Sequence, residues 1–150
     1  MRVAIALGSN LGDRAATIRE ATHRLSDIVA DLRVSSYHET AAVGVGVQPP
    51  FLNAAAVGES ALPARAVLDG LLALEMRLGR TRPHPGAART IDLDLILYGD
   101  TRIDEPGLSV PHPRFRDRRF VLAPLAEIAA DWRDPVTGLS VQELLLALHA

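Results

Sequence analysis

The 150-residue sequence contains no cysteine, which excludes disulfides, thiolate nucleophiles and cysteine-held metals. It also contains no lysine; all 16 basic residues are arginine. A phosphate loop of the GxxxxGK(S/T) form is therefore impossible, and so is a Schiff-base lysine. Phosphate can be held only by arginine, histidine, backbone N–H groups or a metal ion, and the planar arginine fork suits that task. No basic excess is present either: the formal charge is −2, which argues against a general nucleic-acid binder. Hydrophobic residues make up 48%, yet no apolar run is long enough to span a membrane. Met1 leads straight into strand-like sequence, without the basic start and small-residue cleavage site of a signal peptide. The expectation is a soluble cytoplasmic protein with one domain over residues 1–150, large enough to bury a core.

What is present centres on the stretch from Arg89 to Gly99. Ile91, Leu93, Leu95 and Leu97 alternate with Asp92, Asp94, Ile96 and Tyr98, the period of a strand with one buried face. Asp92 and Asp94 then point the same way, roughly 6.5–7 Å apart along the strand. Such a pair is either a solvated edge-strand face or a ligand set for one or two divalent cations, which would relieve the like-charge repulsion. Basic, loop-like sequence lies on both sides. Before the strand comes Arg80-Thr81-Arg82-Pro83-His84-Pro85-Gly86-Ala87-Ala88-Arg89, a loop without periodicity. After it, extended Val110-Pro111-His112-Pro113 leads to Arg114, Arg116, Arg118 and Arg119, then Phe120.

Upstream, Val3 to Leu7 reads as a buried strand and Gly8 to Asp13 as a turn. Residues from about 13 to 29 form an amphipathic helix on Ile18, Ala21, Leu25 and Ile28, with Asn10 or Asp13 as cap. Arg33 to Thr40 reads as a second strand, with Val34, Ser36, His38 and Thr40 on one face. A Gly- and Pro-rich connection over 41–50 joins it to a third strand, Phe51 to Val57. Phe51 and Asn53 share a face there. An aromatic beside a bidentate amide suits a flat heterocycle, although a lone strand Phe is also an ordinary core residue. A second helix starts near Pro63, buries Val67, Leu68, Leu71, Leu74 and Leu78, and stops at Gly79. Leu122 to Ala130 forms a short helix. Asp134 to Gly138 is a turn, and Ser140 with Glu143 opens a last helix through a capping box.

This order is the split βαβ plan, a ferredoxin-like βαββαβ α+β core: an antiparallel sheet with helices packed on one face, plus C-terminal additions. The first and last of the four strands are expected centrally, with Asp92, Asp94, Phe51 and Asn53 on an open sheet face. Acidic metal ligands, facing arginines and an aromatic shelf together suggest a nucleoside triphosphate, a flat second substrate and phosphoryl-type transfer.

At that level of detail the chain resembles the 6-hydroxymethyl-7,8-dihydropterin pyrophosphokinase family of folate biosynthesis. The resemblance covers nearly the whole chain and is carried by GSNLGDR, SSYHET, FLNAA, LGRTR, RTIDLDLILYG and VPHPRFRDRRFVLAPLAEIA in that order. It implies transfer of the β,γ-pyrophosphoryl group of ATP to the pterin hydroxymethyl oxygen, leaving AMP. It implies that Asp92 and Asp94 hold two Mg²⁺ ions, and that Arg80 and Arg89 join them as catalytic residues. Glu75, Arg82, Leu95, Ser109, His112 and Arg118 match nucleotide-site positions. Thr40, Val43, Phe51, Asn53 and Phe120 match pterin-site positions. Asp92 is the residue best suited to orient the attacking hydroxyl. A monomer acting on these small molecules is expected, with no nucleic-acid or membrane partner. The chain departs from the family pattern where Ala41-Ala42 replaces a proline-containing step, and where Pro85 to Arg89 lacks a tryptophan. Arg119 stands where a small residue is common, and Gly107 lies near where an arginine is often found. Two other readings stay open: a non-catalytic RNA-binding module on the same plan, and a metal-dependent nucleotide hydrolase. The first needs aromatics on both central strands, and Val3 to Leu7 has none. The second leaves Phe51, Asn53 and Phe120 without a role.

Overall fold

The computed structural model describes residues 1–10, 12–40, 50–79 and 91–148. Along the chain run β1 (Arg2–Ser9), α1 (Arg14–Leu25), β2 (Ala30–Val34), β3 (His38–Thr40), β4 (Phe51–Glu59), α2 (Ala64–Arg77) and β5 (Asp92–Tyr98). A small hairpin of β6 (Ile103–Glu105) and β7 (Leu108–Val110) follows, then a 3₁₀ turn (Phe115–Asp117), α3 (Arg119–Ala129) and α4 (Val141–Ala147). Among the described residues no helix is long and apolar enough to cross a membrane.

The main sheet runs β2-β4-β1-β5, with β3 extending β4, and all its pairings are antiparallel. The βαββαβ plan is realised, with one correction. The central strands are β1 and β4, so β5 lies at an edge rather than centrally. Its outer side is covered instead by other elements: Leu93 N–H donates to Glu75 on α2 at 2.7 Å, and His112 N–H donates to the Ile96 carbonyl at 2.9 Å. Those contacts satisfy backbone groups that an edge strand otherwise leaves unpaired.

Each sheet face buries its own core. Val3, Ile5, Leu7, Ala54, Ala56, Leu93 and Leu95 pack against Ile18, Ala21 and Leu25 of α1 and Val67, Leu71 and Leu74 of α2. On the opposite face, Ala4, Ala6, Ala55, Val57, Ile96 and Leu97 pack against Phe115, α3 and α4. The C-terminal additions thus cover part of the face expected to be open. What stays open is the end that bears Gly8, Asn53 and Asp92.

Two of the sheet's irregularities bear on which side chains share a face with the site. Ile5 pairs with Leu95 but Ala4 pairs with Leu97, so Ile96 is an extra residue in β5. Strict alternation put Leu97 beside Leu95; the bulge moves Leu97 to the α3–α4 side, and Tyr98 packs on the other. The expected second strand is likewise broken into β2 and β3. Val34 lies opposite Ala56 of the first core, whereas His38 lies opposite Asn53 and Thr40 opposite Phe51. Val34 therefore does not share a face with His38 and Thr40.

Helix ends follow local chemistry. Asp13 caps α1 by accepting from Ala16 N–H at 3.0 Å, and the helix stops at Leu25, short of residue 29. Gly79, at φ +92°, ends α2 in the left-handed region that glycine tolerates. Helix α3 begins at Arg119, before the expected Leu122, so Phe120 rides on its first turn. The Ser140–Glu143 capping box forms in both directions, at 3.1 and 2.9 Å.

Candidate active site

The sheet register assembles the site. Gly8 of β1 pairs with Asn53 on one side and Asp92 on the other; Ala6 pairs with Ala55 and Asp94. Asn53, Gly8 and Asp92 thus form one row across three strands, about 10 Å from end to end. Gly8 is the floor between them. A Cβ there would lie 3.2 Å from Asn53 Oδ1 and 3.8 Å from the Phe51 ring, so only glycine leaves that space open. Asn53 is buried, and its Nδ2 donates to Thr40 Oγ1 at 2.7 Å.

Two clefts meet at the aspartates. The smaller, about 60 Å³, is lined by Ala6, Leu7, Gly8, Phe51, Asn53, Asp92, Asp94, Phe120 and Val121. Phe120, in its wall, is 41% exposed, so the depression opens to solvent. The larger, about 610 Å³, follows the outer edge of β5. Its walls combine apolar Leu68, Leu72, Leu95 and Leu108 with Glu75, Asp92, Asp94, Ser109, His112 and Arg118. Leucines suit a flat base, and arginine and histidine suit phosphate.

Every described nucleotide-site candidate (Glu75, Leu95, Ser109, His112 and Arg118) lines the larger cleft. Phe51, Asn53 and Phe120 line the smaller one, with Thr40 joined through Asn53. Val43, Arg80, Arg82 and Arg89 lie outside the described residues. Sequence reading missed Gly8, Leu68, Leu72 and Leu108 as cleft residues. Helical spacing puts Leu68 on the buried face of α2, where it packs on the core and also walls the cleft; periodicity does not distinguish a core from a cleft wall beside a sheet edge. The available signal for Gly8 was a glycine ending an apolar strand run.

Electrostatics around the larger cleft are specific. His112 Nδ1 accepts the Arg114 amide at 3.1 Å, so the neutral ring carries its proton on Nε2. Burial pushes the His112 pKa down, Asp94 opposes that, and Arg118 and Arg114 reinforce it; the net shift is downward. At neutral pH the ring is an uncharged N–H donor beside cationic arginine. Arg118 also lies 5.6 Å from the Phe120 ring centre, linking the two clefts. Arg116 is diverted elsewhere: it pairs with Asp134 in the link between α3 and α4.

Glu75 is buried, and its carboxylate holds the Leu93 amide between the two aspartates. Replacing it with alanine, E75A, leaves that amide without this acceptor. The expected cost is about 1–3 kcal/mol of stability, read from urea unfolding, with a raised KM for ATP.

Two recesses of unequal size that share one carboxylate pair on an α+β sheet suit a two-substrate transferase of the phosphoryl-transfer type. The chain belongs to the 7,8-dihydro-6-hydroxymethylpterin-pyrophosphokinase family, whose sequence profile matches residues 4–130. It is 44% identical over 141 residues to 2-amino-4-hydroxy-6-hydroxymethyldihydropteridine pyrophosphokinase of Bacillus subtilis, covering 93% of this chain and 84% of that protein. Its identity to the Pseudomonas aeruginosa protein of the same name is 40% over 151 residues, covering 97% and 91%. Longer relatives contain it as a segment: it spans 19% of the folic acid synthesis protein fol1 of Pneumocystis carinii, at 39% identity over 93% of this chain. Among solved structures, the HPPK-DHPS triple mutant of Plasmodium falciparum superposes with a TM-score of 0.79 at 12% identity, over 97% of this chain and 44% of that one. At that identity the match speaks for the fold, which is ferredoxin-like. The protein is a folate-synthesis diphosphokinase that transfers the pyrophosphoryl group of ATP to hydroxymethyldihydropterin.

Proposed function

We propose that ATP occupies the larger cleft and 6-hydroxymethyl-7,8-dihydropterin the smaller one, and that transfer takes place where they meet. The observation that carries this reading is that Asp92 and Asp94 line both clefts. The pterin stacks between Phe51 and Phe120, and Asn53, its amide aimed by Thr40, reads the heterocycle edge. Val43 belongs to the same set. His112 Nε2–H and Arg118 bind the triphosphate, with Glu75, Leu95 and Ser109 lining the nucleotide. Arg80, Arg82 and Arg89 complete the phosphate contacts. Asp92 orients the pterin hydroxyl. The hydroxyl oxygen forms a bond to the β-phosphorus and gives up its proton to solvent water, while the bond from the β-phosphorus to the bridging oxygen of the α-phosphate breaks and AMP leaves with the bridging oxygen.

The donor set fits magnesium. Asp92 and Asp94 are neighbouring, half-buried carboxylates, and among the described residues no group of three His, Cys, Asp or Glu side chains forms a closed metal cage. Mg²⁺ suits such a site, because it keeps several waters and is bound by one or two carboxylates together with substrate phosphates. Two ions are the expected number, and when bound they neutralise charge on the triphosphate. On the same reading the chain is one pyrophosphokinase domain, and it works as a cytoplasmic monomer without nucleic acid.

The test is AMP formation from ATP, assayed with and without the hydroxymethyl pterin, and with EDTA followed by added Mg²⁺. AMP that requires both pterin and Mg²⁺ is the expected result. AMP made equally well without pterin would sink the assignment in favour of a nucleotide hydrolase.

A further inference from the structure

The strand that brings Thr40 to Asn53 takes its phase from a bulge. Ser35 stays in register with Ala55: its N–H donates to the Ala55 carbonyl and its Oγ accepts the Ala55 amide, both at 2.9 Å. His38, three residues on, lies opposite Asn53, only two residues back along β4. The extra residue leaves the Ser36 amide out of the ladder. Glu127 of α3 takes it, accepting that N–H on Oε1 at 2.8 Å. The Ser36 hydroxyl lies 2.8 Å from both carboxylate oxygens, and His38 Nε2 pairs with Oε2. One carboxylate therefore gathers the Ser36 amide, the Ser36 hydroxyl and the His38 ring.

The same helix carries Phe120 into the smaller cleft on its first turn. Glu127 follows about 10 Å further along the axis. Helix α3 thus spans from the aromatic wall of that cleft to the bulge that phases β3. Without the extra residue, the alternation of β3 would turn Glu39 instead of Thr40 toward the site face. With it, Thr40 Oγ1 accepts one N–H of the Asn53 amide, which leaves the other N–H and Oδ1 to face a heterocycle.

We infer that Glu127 is a positioning residue for pterin recognition, holding the Ser36 bulge so that Thr40 aims the Asn53 amide, without itself touching a substrate. The inference rests on the smaller cleft being the pterin site. It predicts an effect on one substrate only, because the larger cleft is built from α2, β5 and residues 107–118, and the Ser36–His38–Glu127 clamp includes none of these.

The experiment compares wild type with E127Q, which keeps size but loses charge, and with S36A, which removes the hydroxyl but keeps the amide. In steady-state assays, the KM for 6-hydroxymethyl-7,8-dihydropterin should rise about 10-fold in E127Q and a few-fold in S36A. The KM for ATP and kcat at saturation of both substrates should stay within about 2-fold of wild type. Adding E127Q to N53A should weaken pterin use less than E127Q does alone, because the amide it aims is already gone. An unchanged pterin KM in both folded variants, or equal losses for pterin and ATP, would overturn the inference. Should E127Q not fold, S36A decides. A wild-type protein that makes AMP without pterin would instead remove the pterin assignment beneath it.

Discussion

Replacing Asp94 with asparagine, D94N, is expected to lower kcat about 10²–10³-fold while leaving the unliganded protein at least as stable as wild type. The two halves of that result have different causes. Asp94 and Asp92 line both clefts, and in the proposed placement of ATP and pterin the reacting phosphate passes beside them. Removing one anchor of charge stabilisation at such a point costs about 3–4 kcal/mol of barrier. In the unliganded protein, however, two carboxylates about 7 Å apart on one strand repel by an amount of order 1 kcal/mol, and asparagine removes that repulsion. Thermal melts should show D94N at or above wild type without ligand. With ATP and Mg²⁺ added, the upward shift of wild type should be largely lost in the variant. D92N should lower kcat alike, and the double variant should lose little further activity, because the two act as a unit in the reaction. A D94N enzyme that retained more than about a tenth of wild-type kcat at saturating Mg²⁺ would remove the carboxylates from the reaction.

Much of this site can be read from the chain without coordinates. Alternation puts Asp92 and Asp94 on one face, Phe51 and Asn53 share a face in the same way, and Gly79, Ser140 and Glu143 mark helix ends by local chemistry alone. What cannot be read depends on contacts across the sheet. Period-two reasoning assumes a constant phase, and a single inserted residue breaks it; nothing in Leu95-Ile96-Leu97 says which residue is the extra one. The same fault hides the turn of His38 and Thr40 away from Val34, since the acceptor that stabilises the Ser36 bulge lies 91 residues downstream. That β5 lies at an edge is also invisible locally, because its outer partners come from α2 and from the segment after β7. The family resemblance supplied the substrate names and the nucleotide-site positions. It singled out Arg118, which reaches the cleft, over Arg116, which does not, but it did not indicate Gly8 as the floor.

Arg116 is where the C-terminal additions grip the site, and D134A is expected to cost about 3–5 kcal/mol of stability. Asp134 is fully buried in the link between α3 and α4. Its carboxylate accepts from Arg116 Nη2 at 2.9 Å and pairs with Arg116 Nε, accepts the Val136 amide at 3.0 Å, and accepts the Thr137 hydroxyl at 2.7 Å. Removing it strands a guanidinium whose side chain is only 24% exposed, along with two further donors. Deleting both partners, as in R116A with D134A, should cost less than the sum of the single changes. The pH dependence follows from the carboxyl itself. Burial pushes its pKa up, but the hydrogen bonds from Arg116, Thr137 and Val136 outweigh burial and bring it from 3.8 down to about 2. A pKa lower in the folded than in the unfolded chain stabilises the fold above the unfolded value, and that contribution is lost as pH falls through the folded one. The gap in unfolding free energy between wild type and D134A should therefore hold steady above about pH 5 and narrow by about 2 kcal/mol on descending to about pH 2. Because the Arg116 turn lies between His112 and Arg118, D134A should also raise the KM for ATP more than that for the pterin. A stability gap that did not change with pH across this window would mean that the Asp134 carboxylate is not held as an ion by these donors.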